Sequence, residues 1–152
     1  MEVTDQWFGA TVVSQNKKTG RVMVCAPRYR NYKTHLVRGE GRCILMTNNL
    51  RAEMYIEPCR NRAISDGYSM FAHCQAGFGT DITENDEVLV GAPGSINWKG
   101  MSFFKSISND IEVYVSETLY KHVPEISNSS QLATVPSFSY LGWCGGLDIL
   151  GK

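Results

Sequence analysis

Gly77-Phe78-Gly79-Thr80-Asp81-Ile82, then Thr83-Glu84-Asn85-Asp86, then Glu87-Val88-Leu89-Val90-Gly91-Ala92-Pro93-Gly94 is the stretch that decides the fold. An aromatic-glycine strand meets a polar turn, and a β-branched strand returns to end at a small residue and a proline. Val88-Leu89-Val90 is a short apolar run bounded by turn formers, as a buried sheet strand should be. Proline at the strand end removes no ladder hydrogen bond. The same plan stands near the start of the chain. There Trp7-Phe8-Gly9-Ala10-Thr11-Val12-Val13 precedes the turn Asn16-Lys17-Lys18-Thr19-Gly20, and Arg21-Val22-Met23-Val24-Cys25-Ala26-Pro27 follows. Phe8-Gly9 matches Phe78-Gly79 at an offset of 70, and Ala26-Pro27 matches Ala92-Pro93 at an offset of 66. A third start reads Ser139-Tyr140-Leu141-Gly142.

Between these units lie further strand candidates: Cys43-Ile44-Leu45-Met46, Met101-Ser102-Phe103-Phe104 and the alternating Ile111-Glu112-Val113-Tyr114-Val115. Units of this length with about four strands each are the mark of propeller blades. A plain antiparallel sandwich with chance likeness between strands is the competing reading. Two copies of the whole order, from aromatic-glycine to Ala-Pro, favour the propeller. The expected fold is all-β: a propeller fragment of about two four-stranded antiparallel blades plus the start of a third. The repeats are expected at about 5–75 and 76–138 with a third from 139, and residues 144–152 form a divergent tail.

Composition sets limits on function. The 152 residues are 43% apolar and 20% charged, which argues against disorder. Fifteen basic residues balance fifteen acidic ones, so no excess charge is available for a phosphate backbone or an anionic membrane. Nucleic acid and membrane contact by this segment are therefore not expected. No apolar run is long enough to cross a bilayer, and the opening Met1-Glu2-Val3-Thr4-Asp5 lacks the layout of a signal peptide. His35, His73 and His122 are scattered without a local acid or nucleophile motif, so no catalytic residues are assigned and an enzyme is not expected.

Cys25, Cys43, Cys59, Cys74 and Cys144 form no CxxC pair and no zinc-finger spacing with the histidines, so no metal site is assigned. The first four fall in loops rich in turn formers, which suits two disulfides in an oxidising compartment. Four cysteines allow three pairings; sequential pairing closes the shortest loops and would stabilise by about 3 kcal/mol per bridge. Buried reduced thiols are the alternative. Cys144 is left as an odd thiol.

At these residues the chain resembles the FG-GAP repeats of integrin alpha subunits. Gln6-Trp7-Phe8-Gly9-Ala10-Thr11-Val12, Val24-Cys25-Ala26-Pro27-Arg28-Tyr29 and Gly41-Arg42-Cys43 are similar to the family's second repeat. Cys74-Gln75-Ala76-Gly77-Phe78 and Val88-Leu89-Val90-Gly91-Ala92-Pro93-Gly94-Ser95-Ile96-Asn97-Trp98-Lys99-Gly100 are similar to the third. Gln131-Leu132-Ala133 and the 139–142 stretch look like the entry to a fourth. The likeness runs over about residues 5–143, and its general look suggests an invertebrate chain of the insect position-specific group. Beyond Trp143 the sequence departs from the family's next strand, which suggests an abbreviated gene model or a splice product.

The resemblance supports the pairs Cys25–Cys43 and Cys59–Cys74. It implies a seven-bladed propeller on the outer side of the cell membrane, paired with a beta subunit and gripping an extracellular-matrix or cell-surface protein. A free secreted module that binds a protein or glycan without a beta subunit is the alternative. No cofactor is expected in this segment, since the family's calcium loops belong to later repeats. The family's repeat-opening aromatics cup a basic side chain of the beta subunit, and the matching positions here are Trp7, Phe8, Phe78 and Tyr140. Ligand specificity would rest on the loops, with Arg28, Tyr29, Arg30, Tyr32, Arg60, Arg62, Asp66, Tyr68, Phe71 and Trp98 as candidates, because tyrosine and arginine dominate binding hot spots. Lys33, His35 and Arg38 share the first of these loops. Asn128-Ser129-Ser130 is a glycosylation sequon.

Overall fold

The computed structural model describes residues 5–32, 37–60, 62, 71–107, 121–122, 140 and 142–143. The fold is all-β, as a propeller fragment requires. Strands β1 (Thr11–Ser14), β2 (Val22–Ala26), β3 (Arg42–Met46) and β4 (Ala52–Ile56) form one antiparallel meander. Strands β5 (Thr80–Ile82), β6 (Glu87–Ala92), β7 (Met101–Ser106) and β8 (Lys121–His122) form a second, with a single helical turn, α1 (Ser95–Trp98), between β6 and β7. The strand candidates at 22–24, 43–46, 88–90 and 101–104 all lie within strands; that at 111–115, the sequon Asn128 and Cys144 lie outside the described residues.

The period of two sorts each strand's side chains. In the first sheet Met23, Cys25, Cys43, Leu45 and Ile56 are fully buried. In the second, Thr80, Val90 and Phe103 lie opposite one another along the register and are buried too. The two inner faces share one core, completed by Ile82, Val88, Ala92 and Met101. Cys25 and Cys43 stand directly opposite across β2 and β3 and form one disulfide; Cys59 and Cys74 form the other.

The structure corrects the register of the repeat. The amide of Gly9 donates to the Cys25 carbonyl at 3.0 Å, and that of Gly77 donates to the Gly91 carbonyl at 2.9 Å. Cys25 and Gly91 both precede an Ala-Pro pair, so Gly77, not Gly79, is the partner of Gly9. Phe8 therefore corresponds to Ala76, and Phe78 corresponds to Ala10. The third start obeys the same rule. Trp7, Gln75 and Tyr140 all have positive φ (58°, 54° and 54°), each two residues before a positive-φ glycine, Gly9, Gly77 or Gly142.

These starts are the joints between units. Gln75 and Ala76 donate to the carbonyls of Gly39 and Glu40 just before β3, at 3.0 and 2.9 Å. Tyr140 donates to the carbonyl of Trp98, before β7, at 3.0 Å. Gly77 then rests on the first disulfide. A Cβ there would stand 2.7 Å from Cys25 Cβ and 3.0 Å from Cys43 Sγ. Gly142 rests on Gly91 in the same way, and a Cβ on Gly91 would fall 2.1 Å from its carbonyl oxygen.

A second tie holds the opposite ends of the hairpins. Gln15, almost wholly buried, donates its amide to the Thr83 carbonyl at 2.8 Å and to Asp86 Oδ1 at 2.7 Å. Arg21 donates to the same Asp86 oxygen at 3.1 Å and reaches both oxygens of Glu53. The Gln15 hydrogen bond, with Lys17 and Arg21 nearby, holds the Asp86 carboxyl below its ordinary value.

Two outcomes follow. Gly77→Ala should lower unfolding free energy by about 3 kcal/mol in urea titration, because backbone strain at positive φ adds to overpacking on the disulfide. A depressed carboxylate stabilises above its ordinary pKa of 3.8 and loses that contribution as pH falls through its lower folded value. Acid titration should therefore weaken the hairpin tie below that pH, and Asp86→Asn should flatten this part of the stability profile.

Candidate functional site

The loops at the joint end carry the sequence-derived candidates. Trp7, Phe8 and Tyr140 are about half exposed, and Phe78 is partly buried. Two of the four come together. Phe78 stacks on Trp143 with ring centres 4.6 Å apart and planes 13° from parallel, and Tyr140 meets the same Trp143 edge-on at 6.0 Å. Trp143 is thus a member of the cluster that the sequence reading did not assign. Its signal was present: Gly77-Phe78 and Gly142-Trp143 are the same position in successive repeats. Trp7 instead carries the guanidinium of Arg28, 4.8 Å above its ring, and Arg28 also pairs with Asp5 at 3.2 Å.

The loop candidates separate into structural and surface groups. Tyr29 is buried, and Arg42 lies 3.7 Å over its ring while donating to its hydroxyl at 2.6 Å. Arg42 also donates to buried Glu57 at 2.6 Å, and the second oxygen of Glu57 takes Arg60. Burial, partly offset by Arg42, raises the Tyr29 pKa. The hydrogen bond to Glu57 raises that of Arg60. Arg62 donates to the Pro58 carbonyl at 2.7 Å and sits over Phe71 and Phe103, and Phe71 is itself buried. Tyr29, Arg60, Arg62 and Phe71 therefore build the loops. Arg30 and Tyr32 face solvent, and Trp98 is half-buried against His73, with ring centres 6.0 Å apart. Asp66 and Tyr68 lie outside the described residues, as do Lys33 and His35.

A buried pair ties the two disulfide loops together. Arg38 Nε lies 3.1 Å from Glu40 Oε1, and its Nη2 reaches the carbonyls of Cys59 and Arg62. Asn31 donates to the other oxygen of Glu40 at 3.2 Å. Burial pushes the Glu40 carboxyl above its ordinary range, against the pull of Asn31 and Arg38. Among the described residues no group of three or more metal-ligating side chains converges, and no helix is long and apolar enough to cross a membrane.

Comparison with known proteins gives a consistent answer. No family model matches the chain. Human integrin alpha-8 is 32% identical over 148 residues, covering 92% of this chain and 13% of its own length. Chicken integrin alpha-V is 35% identical over 147 residues, with 91% and 13% covered. Integrin alpha ina-1 of Caenorhabditis elegans is 30% identical over 142 residues, with 91% and 12% covered. The chain thus spans about an eighth of the length of these relatives. Vertebrate and nematode relatives fall in the same range of identity, which favours no invertebrate assignment.

The split between structural and surface cations has a direct test. Arg42→Ala should destabilise by about 3 kcal/mol, since it takes from buried Glu57 one of its two bonded cations and uncovers Tyr29. Arg30→Ala should change unfolding free energy by less than about 0.5 kcal/mol. Paired thermal and urea melts would read both.

Proposed function

The chain is a homologue of integrin alpha subunits over nearly all its length, and on that premise we propose that it serves cell adhesion as part of an alpha–beta heterodimer. The similarity over 92% of the chain is the observation that carries this reading. In it, the chain stands on the outer side of the cell membrane, contributes no catalysis, and takes a matrix or cell-surface protein as ligand. Two disulfides fit that oxidising compartment.

The beta-subunit contact is proposed for the exposed aromatics Trp7, Phe8 and Tyr140 and for Phe78, with Trp143 added because it holds Phe78 and Tyr140 in one cluster. Ring faces attract a lysine or arginine, and partial exposure leaves Phe8 and Tyr140 able to receive one, whereas Trp7 already carries Arg28. The surface residues Arg30, Tyr32 and Trp98 are the ligand-contact candidates that this geometry favours. Arg28 joins them as a cation already seated on Trp7.

The test is co-expression of an alpha subunit carrying these residues with a beta subunit, read as heterodimer at the cell surface. Replacing Tyr140 and Trp143 by alanine removes two rings, each worth about 0.5–2 kcal/mol to a bound cation, so pairing should weaken by about fivefold to nearly a thousandfold. Unchanged pairing with normal surface expression would remove the aromatic contact from the reading. Failure of the unsubstituted subunit to pair at all would remove the heterodimer itself.

A further inference from the structure

From Arg28 to Gly39 the chain carries Arg28, Arg30, Lys33 and Arg38 and no carboxylate. One of these cations is internal: Arg38 is buried and held by Glu40. Arg28 and Arg30 instead line an open cleft with Pro27, Val37, His73 and Gln75. Among the described residues no carboxylate lines it. The cleft lies at the joint between the two sheets, where Gln75 is bound to the Gly39 carbonyl.

We propose that this cleft binds a carboxylate side chain presented by an acidic segment of a protein ligand. The inference deepens the ligand half of the adhesion reading and rests on it for the ligand being a protein. A guanidinium offers a planar fork of N–H donors that matches a carboxylate. Arg28 is held near the cleft by Trp7, its guanidinium carbon lying 4.8 Å from the ring centre. It already accepts a carboxylate of its own chain, Asp5, whose side chain is 63% exposed and so exchangeable for a ligand's. Arg30 supplies a second, solvent-facing cation. The exposed apolar side chain of Val37, beside only two cations, suits a peptide more than a sulfated glycan, which needs a longer track of cations.

The experiment is a fluorescence-anisotropy titration of the full 152-residue chain with fluorescein-labelled hexaglutamate at low salt, beside a labelled heparin oligosaccharide. Saturable hexaglutamate binding is expected, about tenfold weaker in Arg30→Gln and largely restored in Arg30→Lys, with unchanged circular dichroism in both. The exposure of Arg30 keeps these variants folded. No hexaglutamate binding, or binding that Arg30→Gln leaves unchanged, overturns the proposal. Heparin binding without hexaglutamate binding overturns it in favour of a glycan. Subunit pairing is read in a separate assay, so a cleft that fails while pairing persists leaves the adhesion reading standing.

Discussion

The contact on which the rest depends is a glycine lying flat on its neighbour's two central strands. Gly77 sits where any side chain would strike the Cys25–Cys43 bridge, and Gly142 sits where any side chain would strike Gly91. That approach lets Gln75 and Ala76 reach the carbonyls of Gly39 and Glu40, so the backbone of one unit pairs with the entry to β3 in the other. Buried backbone groups need such partners, and here the joint supplies them without adding a strand. The same geometry recurs at Tyr140 and Trp98. One joint, used twice, orients each sheet against the next and gathers the loops at one end.

How much of this was legible in the sequence depended on which residue types carry a conformation. The strands were legible because Val22–Val24 and Val88–Val90 are short apolar runs closed by Ala-Pro, and burial selects that pattern. The register was not. Phe78-Gly79 looks like Phe8-Gly9, yet the backbone that must turn at positive φ belongs to Trp7, Gln75 and Tyr140, two aromatics and an amide that no single side-chain type unites. Their shared feature is the glycine two residues on, and only Gly9, Gly77 and Gly142 together reveal it. The disulfides were half legible. Spacing left three pairings open and family resemblance chose among them; the structure adds that Cys25 and Cys43 are directly opposed across one ladder.

The loops show where composition misleads. Tyrosine and arginine are frequent in binding surfaces, but the same pair builds loop interiors, because an arginine plane can stack on a ring while its N–H groups satisfy a buried carboxylate. Arg42 does this between Tyr29 and Glu57. What would have separated the two uses is the acid. Glu57 stands beside the Arg42–Tyr29 group and Glu40 beside Arg38, whereas Arg28 pairs with exposed Asp5 and no carboxylate among the described residues pairs with Arg30. A cation with a buried carboxylate partner belongs to the framework, and so does Arg62, which a backbone carbonyl and two rings hold instead.

The outer face of the first sheet carries the repeat argument one step further. Across its register Val12, Val24, Ile44 and Tyr55 form an apolar row, with Val12 57% and Tyr55 43% exposed. The positions equivalent to the first three in the second sheet, Thr80, Val90 and Phe103, are at most 4% exposed, because the first sheet covers them. The two rows have the same placement and comparable apolar character, and they differ in whether a neighbouring sheet lies on top. In a repeat array each unit's stability is shared with the neighbour that covers it. The second sheet therefore draws part of its core from the first, and the exposed Val12 row has the makeup of a surface suited to the same kind of cover.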